Sequence, residues 1–161
     1  LQEIQYRPIG IIHSPFQQPH GAPIQPRAAE GVQGTVEVFD EFKEGLADLD
    51  GFSHIILVYH LHLSDGYALK VKPFLDDTRR GLFATRAPRR PNPIGISVVP
   101  LRKIDGDTLY ITNVDIIEGT PLLDIKPYVP EFDREVDIRV GWLTGKSHRV
   151  KDTFSDDRFK K

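Results

Sequence analysis

Residues 52–63 (FSHIILVYHLHL) constrain the fold more than any other stretch. They are rich in β-branched and aromatic types and apolar on both faces, which predicts a strand in the middle of a sheet. Gly51 stops whatever precedes them, and Ser64-Asp65-Gly66 is a turn. Shorter strand candidates surround this run. Residues 4–13 read as a first strand in which Pro8 marks an edge or a bulge. Residues 32–39, 67–71 and 82–85 follow. Residues 94–104 and 108–114 flank Asp105-Gly106-Asp107, a hairpin signature because the turn needs the positive φ that glycine supplies. Residues 122–125 form another short strand after a turn at Gly119-Thr120-Pro121.

One stretch reads as helix. In residues 40–50 (DEFKEGLADLD), Asp40 is placed as an N-cap and Phe42, Leu46 and Leu49 share one apolar face. Residues 136–143 are apolar enough for a last packing element, and residues 147–161 read as a weakly ordered tail or exposed helix. Many short strands, frequent Gly/Pro punctuation and no βαβ alternation predict a mainly-β barrel or sandwich and exclude a doubly wound nucleotide fold.

With 161 residues the chain can build one sizeable core. A net charge of −2 places any nucleic-acid contact on a local basic patch. The absence of cysteine removes disulfides, thiolate nucleophiles and Cys-based metal sites, and fits a reducing, cytoplasmic setting. No apolar run reaches membrane-spanning length and no signal-peptide pattern is visible. The lack of methionine implies that Leu1 is not the first translated residue.

The basic patch is found in residues 82–100 (LFATRAPRRPNPIGISVVP), where Pro88, Pro91 and Pro93 stiffen a loop between two apolar runs. Arg86, Arg89 and Arg90 sit on that loop, with Arg79 and Arg80 just before it. A stiff loop loses little entropy on binding, and guanidinium forks suit carboxylate or phosphate; a solvated turn on a barrel rim would look the same. Residues 14–31 form a second long, proline-rich loop, of the length that is usually functional inside a compact domain.

Among groups able to do chemistry, His54, His60 and His62 lie an even number of residues apart on the central run, so all are expected on one face. No Cys or Glu nearby completes a ligand set, so no metal is expected and a single histidine lining a pocket is the better reading. Asp115, Glu118 and Asp124 lie near a turn; Asp115 and Glu118 also fit ordinary turn carboxylates, whereas Asp124 stands between apolar neighbours and is expected to face a pocket or a buried partner. No phosphate-binding glycine loop occurs, and Ser97 lacks the pattern of a nucleophile elbow.

Three ordered motifs carry a resemblance: Phe83-Ala84-Thr85-Arg86, Arg90-Pro91-Asn92-Pro93-Ile94-Gly95, and residues 118–128 (EGTPLLDIKPY). With Pro8-Ile9-Gly10, Ser14-Pro15 and Gly51-Phe52-Ser53-His54, the chain resembles the TsaA/TrmO-type (YaeB-like) family of S-adenosylmethionine-dependent tRNA adenine-N6 methyltransferases over about residues 6–133. The resemblance implies a single β-barrel domain with one short helix (residues 1–140) and a short C-terminal extension (residues 141–161). It implies a cytoplasmic homodimer with the cofactor near the subunit interface. It also implies that the methyl group goes to the exocyclic nitrogen of threonylcarbamoyl-adenosine beside the tRNA anticodon.

Carried over by motif, the cofactor pocket draws on Gln25, Pro26, His60, Leu61, Arg86, Ile96, Thr120, Pro121, Leu122, Leu123 and Asp124. Arg89 and Arg90 are expected to meet tRNA phosphate, and His60 or Asp124 to assist as a catalytic base. A non-catalytic S-adenosylmethionine-binding protein and a methyltransferase on another substrate stay open as alternatives.

Overall fold

Strands that alternate inward and outward close on themselves in the computed structural model of the chain. It describes residues 2–156 and Arg158, and the side chains of Pro26 and Arg27 lie outside what it describes. The strands are β1 (Gly10–His13), β2 (Gln33–Val38), β3 (His54–His60), β4 (Lys70–Val71), β5 (Arg80–Gly81), β6 (Ile94–Asp105), β7 (Thr108–Thr112) and β8 (Thr120–Pro127). Six of them form a closed antiparallel barrel in the order β1-β2-β7-β6-β3-β8, while β4 and β5 make a separate two-stranded ribbon. The chain is therefore mainly β, as the punctuation predicts.

The residues 52–63 run supplies β3, which lies between β6 and β8. Ile55, Leu57 and Tyr59 point inward and are buried; His54 and His60 point outward and are exposed. The interior is filled by β-branched and leucine side chains, with Ile12, Val36, Ile55, Leu57, Val99, Leu109, Ile111 and Leu122 at its centre. The β6–β7 hairpin pairs Asp105 with Thr108, so the turn is Gly106-Asp107 and Gly106 takes φ 63°.

Several sequence expectations shorten or change. The first strand is confined to Gly10–His13, and the expected strand at 67–71 is only Lys70–Val71. Residues 82–85 do not form a strand: Leu82–Ala84 is a 3-10 turn that buries Leu82 against Val71 and Ala87. Residues 40–50 form two 3-10 turns, Asp40–Leu46 and Leu49–Gly51, not an α-helix, and Phe39 instead of Asp40 occupies the cap position. Their apolar face is as expected, since Phe42, Leu46 and Leu49 pack on the core. Among the described residues the one α-helix is a single turn, α1 (Pro130–Asp133).

Residues 136–140 do not pack: Val136 is 82% exposed and Ile138 66%. The chain beyond them is fastened, and of the two expectations for residues 147–161 the exposed helix, not the weakly ordered tail, is the nearer, since residues 147–152 are helical and mostly exposed. Gly141–Leu143 and Ser147–Asp152 are 3-10 turns, and Phe154 bridges back to Pro23. Residues 157 and 159–161 of that stretch lie outside the described part.

The registers give the barrel two unlike ends. The Asp40–Leu46 turn leaves the C-terminal end of β2, beside the β6–β7 hairpin. At the other end lie the C-terminal ends of β1, β3 and β7 and the N-terminal ends of β2, β6 and β8. The long loops and the C-terminal segment gather there.

Candidate functional site

A cavity of about 920 Å³ opens at this second end. Its floor is barrel: Tyr59, Leu61, Gly95, Asp115 and Thr120. Its walls are the two proline-rich loops, with Gln25, Thr85, Arg86 and Arg90, and the C-terminal segment, with Trp142, Leu143 and Val150.

The walls hold their shape through side chains bonded to backbone carbonyls. Arg90 Nη1 donates to the carbonyls of Thr85 (3.0 Å) and Ala87 (3.1 Å) and its guanidinium lies over the Phe83 ring. Arg89 Nε donates to the Asp65 carbonyl (3.1 Å), and Ser64 Oγ to that of Pro88 (2.9 Å). Trp142 Nε1 donates to the Ala84 carbonyl (2.8 Å), pinning the C-terminal segment to the FATR motif. Asp76 binds Arg80 (2.6 Å) and Lys146 (3.0 Å), and these two cations hold its carboxyl well below the usual carboxylate range.

On the floor, a buried polar chain runs from β3 through β6 to the segment after β7. Ser97 Oγ donates to Asp115 Oδ1 (2.8 Å), so the Tyr59 hydroxyl must donate to Ser97 Oγ (2.9 Å). Burial pushes the Asp115 carboxyl up to about 6, with the Ser97 hydrogen bond and the Arg86 charge pulling the other way. Burial, and then the Asp115 charge, push the Tyr59 phenol up. Gly95 of the PNPIG motif is needed here, because a Cβ on it would fall on the Tyr59 ring.

Of the residues expected in a cofactor pocket, Gln25, Leu61, Arg86, Ile96 and Thr120 line this one cavity. Arg86 Nη1 donates to Gln25 Oε1 (3.0 Å), joining the two proline-rich loops. Pro26 opens the 3-10 turn Pro26–Ala29, and its side chain is outside the described part.

The rest of the TPLLD segment runs away along the barrel. Leu122 is core, and Pro121 pairs with Ile11 in the β8–β1 ladder. A bulge, where Val58 pairs with Asp124 but Tyr59 with Leu122, skips Leu123 and turns Asp124 to the outside, where it meets Lys126 at 2.8 Å. The expectation that apolar neighbours turn Asp124 into a pocket is thereby corrected.

His60 is exposed on the outer face opposite Ile94, because β3 alternates and Tyr59 takes the inward position. His62, past the end of the strand, is the histidine that lines the cavity. Its Nδ1 lies 3.4 Å from Thr120 Oγ1, and burial, then the His60 charge, lower its pKa. The three histidines therefore do not share a face. Among the described residues no His/Asp/Glu cluster could hold a metal, and no helix is long and apolar enough to cross a membrane.

Tyr59 and Ser97 were missed by sequence reasoning. Their signal was parity: both fall on inward positions among apolar residues, where a hydroxyl needs a partner.

Compared with known proteins, residues 11–134 match the family tRNA-methyltransferase O N-terminal domain. The chain belongs to the TrmO family. A probable S-adenosyl-L-methionine-binding protein of Pyrococcus abyssi is 57% identical over 97% of this chain and 85% of its own length. The human tRNA (adenine(37)-N6)-methyltransferase is 35% identical over 78% of this chain and 30% of its own length. The crystal structure of TrmO from Pseudomonas aeruginosa superposes with a TM-score of 0.74 at 38% identity, over 87% of this chain and 62% of that one. This chain thus spans less than two thirds of both methyltransferase relatives. Within the matched residues, 83–86 (FATR) and 91–95 (PNPIG) help to build the arginine wall and seat Tyr59.

Proposed function

We propose that this chain binds S-adenosylmethionine in the cavity and transfers its methyl group to the exocyclic nitrogen of threonylcarbamoyl-adenosine beside the tRNA anticodon. One observation carries the reading. Gln25, Leu61, Arg86, Ile96 and Thr120, far apart in sequence, meet on one cavity, in a family with cofactor-binding and tRNA-methylating relatives.

The donor set fits the cofactor. The cavity lies at the upper end of the range for small-molecule sites, leaving room for a second reactant. It offers apolar walls (Leu61, Ile96) and a guanidinium (Arg86), a counter-charge for the cofactor carboxylate. When bound, the cofactor supplies a methyl group already activated for displacement.

The protein's own work is binding, alignment and exclusion of water. Arg86 holds the cofactor carboxylate, with Gln25 fixing the plane of its guanidinium. Arg89 and Arg90 present charge to tRNA phosphate, giving position without sequence reading. In a homodimer, the outer face of β3 and β6 would be the contact: Ile94 and Ile96 are exposed there, beside half-buried Ile56, Val58 and Val98. His60 and Asp124 lie on that face, so their place in this reading is the subunit interface and not the cavity floor.

The test is a titration of S-adenosylmethionine against the protein and Arg86→Ala, followed by methyl transfer to threonylcarbamoyl-modified tRNA. Losing a charge-assisted fork should weaken binding by roughly tenfold or more. Unaltered affinity in the variant removes Arg86 from the pocket. Binding without transfer to any RNA leaves the alternative of a cofactor-binding protein.

A further inference from the structure

The exocyclic nitrogen in the proposed reaction is a poor nucleophile. Its lone pair is shared with a carbamoyl carbonyl and a purine ring, and its proton must leave as the new bond forms. A base within hydrogen-bond reach is needed. His60 and Asp124 are on the outer face of the barrel. Guanidinium groups offer only donors, and the Tyr59 phenol donates its proton to Ser97. Asp156, at the far wall, is held by Arg158 at 2.8 Å.

Resting on the reading above, we propose that Asp115 is the catalytic base, held at the cavity floor by the Tyr59–Ser97 hydrogen-bond chain where it meets the reacting nitrogen. Oδ1 accepts from Ser97, and the carboxylate also accepts from its own backbone N–H. The chain Tyr59→Ser97→Asp115 runs in one direction, fixing the carboxylate as an acceptor. The chain is anchored in the β3–β6 ladder, where Tyr59 pairs with Gly95 and Leu57 with Ser97, so the base is held from barrel strands.

The bookkeeping of atoms is simple. As the nitrogen–methyl bond forms, the sulfur–methyl bond breaks and its electron pair stays on sulfur. The nitrogen's proton passes to Asp115, which becomes a neutral carboxylic acid. Burial lifts its titration to about 6, with the Ser97 hydrogen bond and the Arg86 charge pulling the other way, and a raised pKa makes it a stronger base than an ordinary carboxylate. His62 is another candidate base in the cavity; its Nδ1 lies 3.4 Å from Thr120 Oγ1, and burial, then the His60 charge, lower its pKa.

The experiment measures single-turnover methyl transfer to threonylcarbamoyl-modified tRNA across about pH 5 to 9, with cofactor affinity measured in parallel, for wild type, Asp115→Asn and Ser97→Ala. Asp115→Asn should lose about 10²-fold or more in rate while keeping cofactor affinity within about threefold. Ser97→Ala removes a hydrogen bond that favours the charged carboxylate, so the acidic limb of its pH–rate profile should move upward. The same rise should appear in the Asp115 carboxyl titration followed by NMR without substrate.

A near-wild-type rate in Asp115→Asn overturns the proposal. So does a rate loss explained by lost cofactor affinity, or an acidic limb that Ser97→Ala leaves in place and His62→Asn moves. Should Asp115→Asn fail to fold, the Ser97→Ala limb decides alone. If wild type transfers no methyl group to this RNA, the proposed function falls and this inference with it. An active wild type with an equally active Asp115→Asn sinks the inference only.

Discussion

The barrel interior and the cavity wall are held together in different ways. Inside the barrel each residue is fixed twice, by ladder hydrogen bonds on both sides of its strand and by apolar burial. Leu57 pairs with Ser97 on one side and Ile125 on the other, and its side chain is fully buried. The wall has almost no ladder beyond the two-residue ribbon of β4 and β5. It is fastened at points: Trp142 to the Ala84 carbonyl, Arg158 to the Pro73 carbonyl (2.8 Å), Arg90 to its own loop. Among the described residues its apolar cluster is Val71, Leu82 and Ala87, with Ala68 against it. Rigid floor and separately fastened wall meet at the cavity, so a reacting group can be held on one while ligand exchange is managed by the other.

The largest effect should come from breaking the floor. Leu57→Ala should cost about 2–5 kcal/mol, because the closed barrel around the deleted atoms relaxes only in part. A denaturant titration should show the midpoint falling in one transition, with the wall unfolding alongside. A loss under about 1 kcal/mol would mean that the barrel interior is not where the stability resides.

That contrast also explains what the sequence disclosed. The barrel was legible because its physics is local and periodic. β3 announced itself by composition, and the β6–β7 turn by Asp-Gly. The arginine wall was legible through its prolines and its family motifs. Other features were not, for reasons that lie in tertiary contacts. The fate of Asp124 turned on one bulge at Leu123, which no propensity marks. Asp115 looked like an ordinary turn carboxylate, since its partner Ser97 is brought to it only by barrel closure. The C-terminal segment looked polar and unfastened because its fastenings are single side chains, Trp142 and Lys146, reaching loops far back in the chain.

An intermediate effect, confined to one region, should follow from loosening the wall. Trp142→Ala removes a hydrogen bond to Ala84 and the ring that Arg80 (5.6 Å) and Lys146 (6.0 Å) meet. The local loss should be about 1 kcal/mol. Limited proteolysis within residues 134–156 should then speed up by roughly fivefold, while the denaturation midpoint of the barrel stays where it is. A variant that lowers protection throughout the barrel would show that floor and wall are one cooperative unit, and the comparison would fail.

The smallest effect sharpens the comparison at the seam. His13, the last residue of β1, reaches Glu118 (2.7 Å) and Glu37 (3.2 Å), and Glu118 also accepts the Ser14 amide (2.7 Å). Ser14 Oγ donates to the Ile116 carbonyl, so these contacts tie the barrel to the segment carrying Asp115. The Glu118 hydrogen bond, helped by Glu37, raises the His13 pKa from its ordinary 6.5 despite some burial. Burial pushes Glu118 up, but the His13 and Ser14 hydrogen bonds outweigh it and hold it below its ordinary 4.5. The His13 contribution is complete below pH 6.5 and fades as pH rises through its raised folded value. The Glu118 contribution is complete above pH 4.5 and fades as pH falls through its lowered folded value. The stability difference between wild type and Glu118→Gln should therefore peak between those two limits and shrink on both sides. Since His13 is more than a third exposed, screening should keep the peak to about 0.5 kcal/mol. Denaturant midpoints across the range would show it. A difference that does not vary with pH would mean that the seam is held by the Ser14 hydrogen bonds alone, and that the charged pair adds nothing to either region.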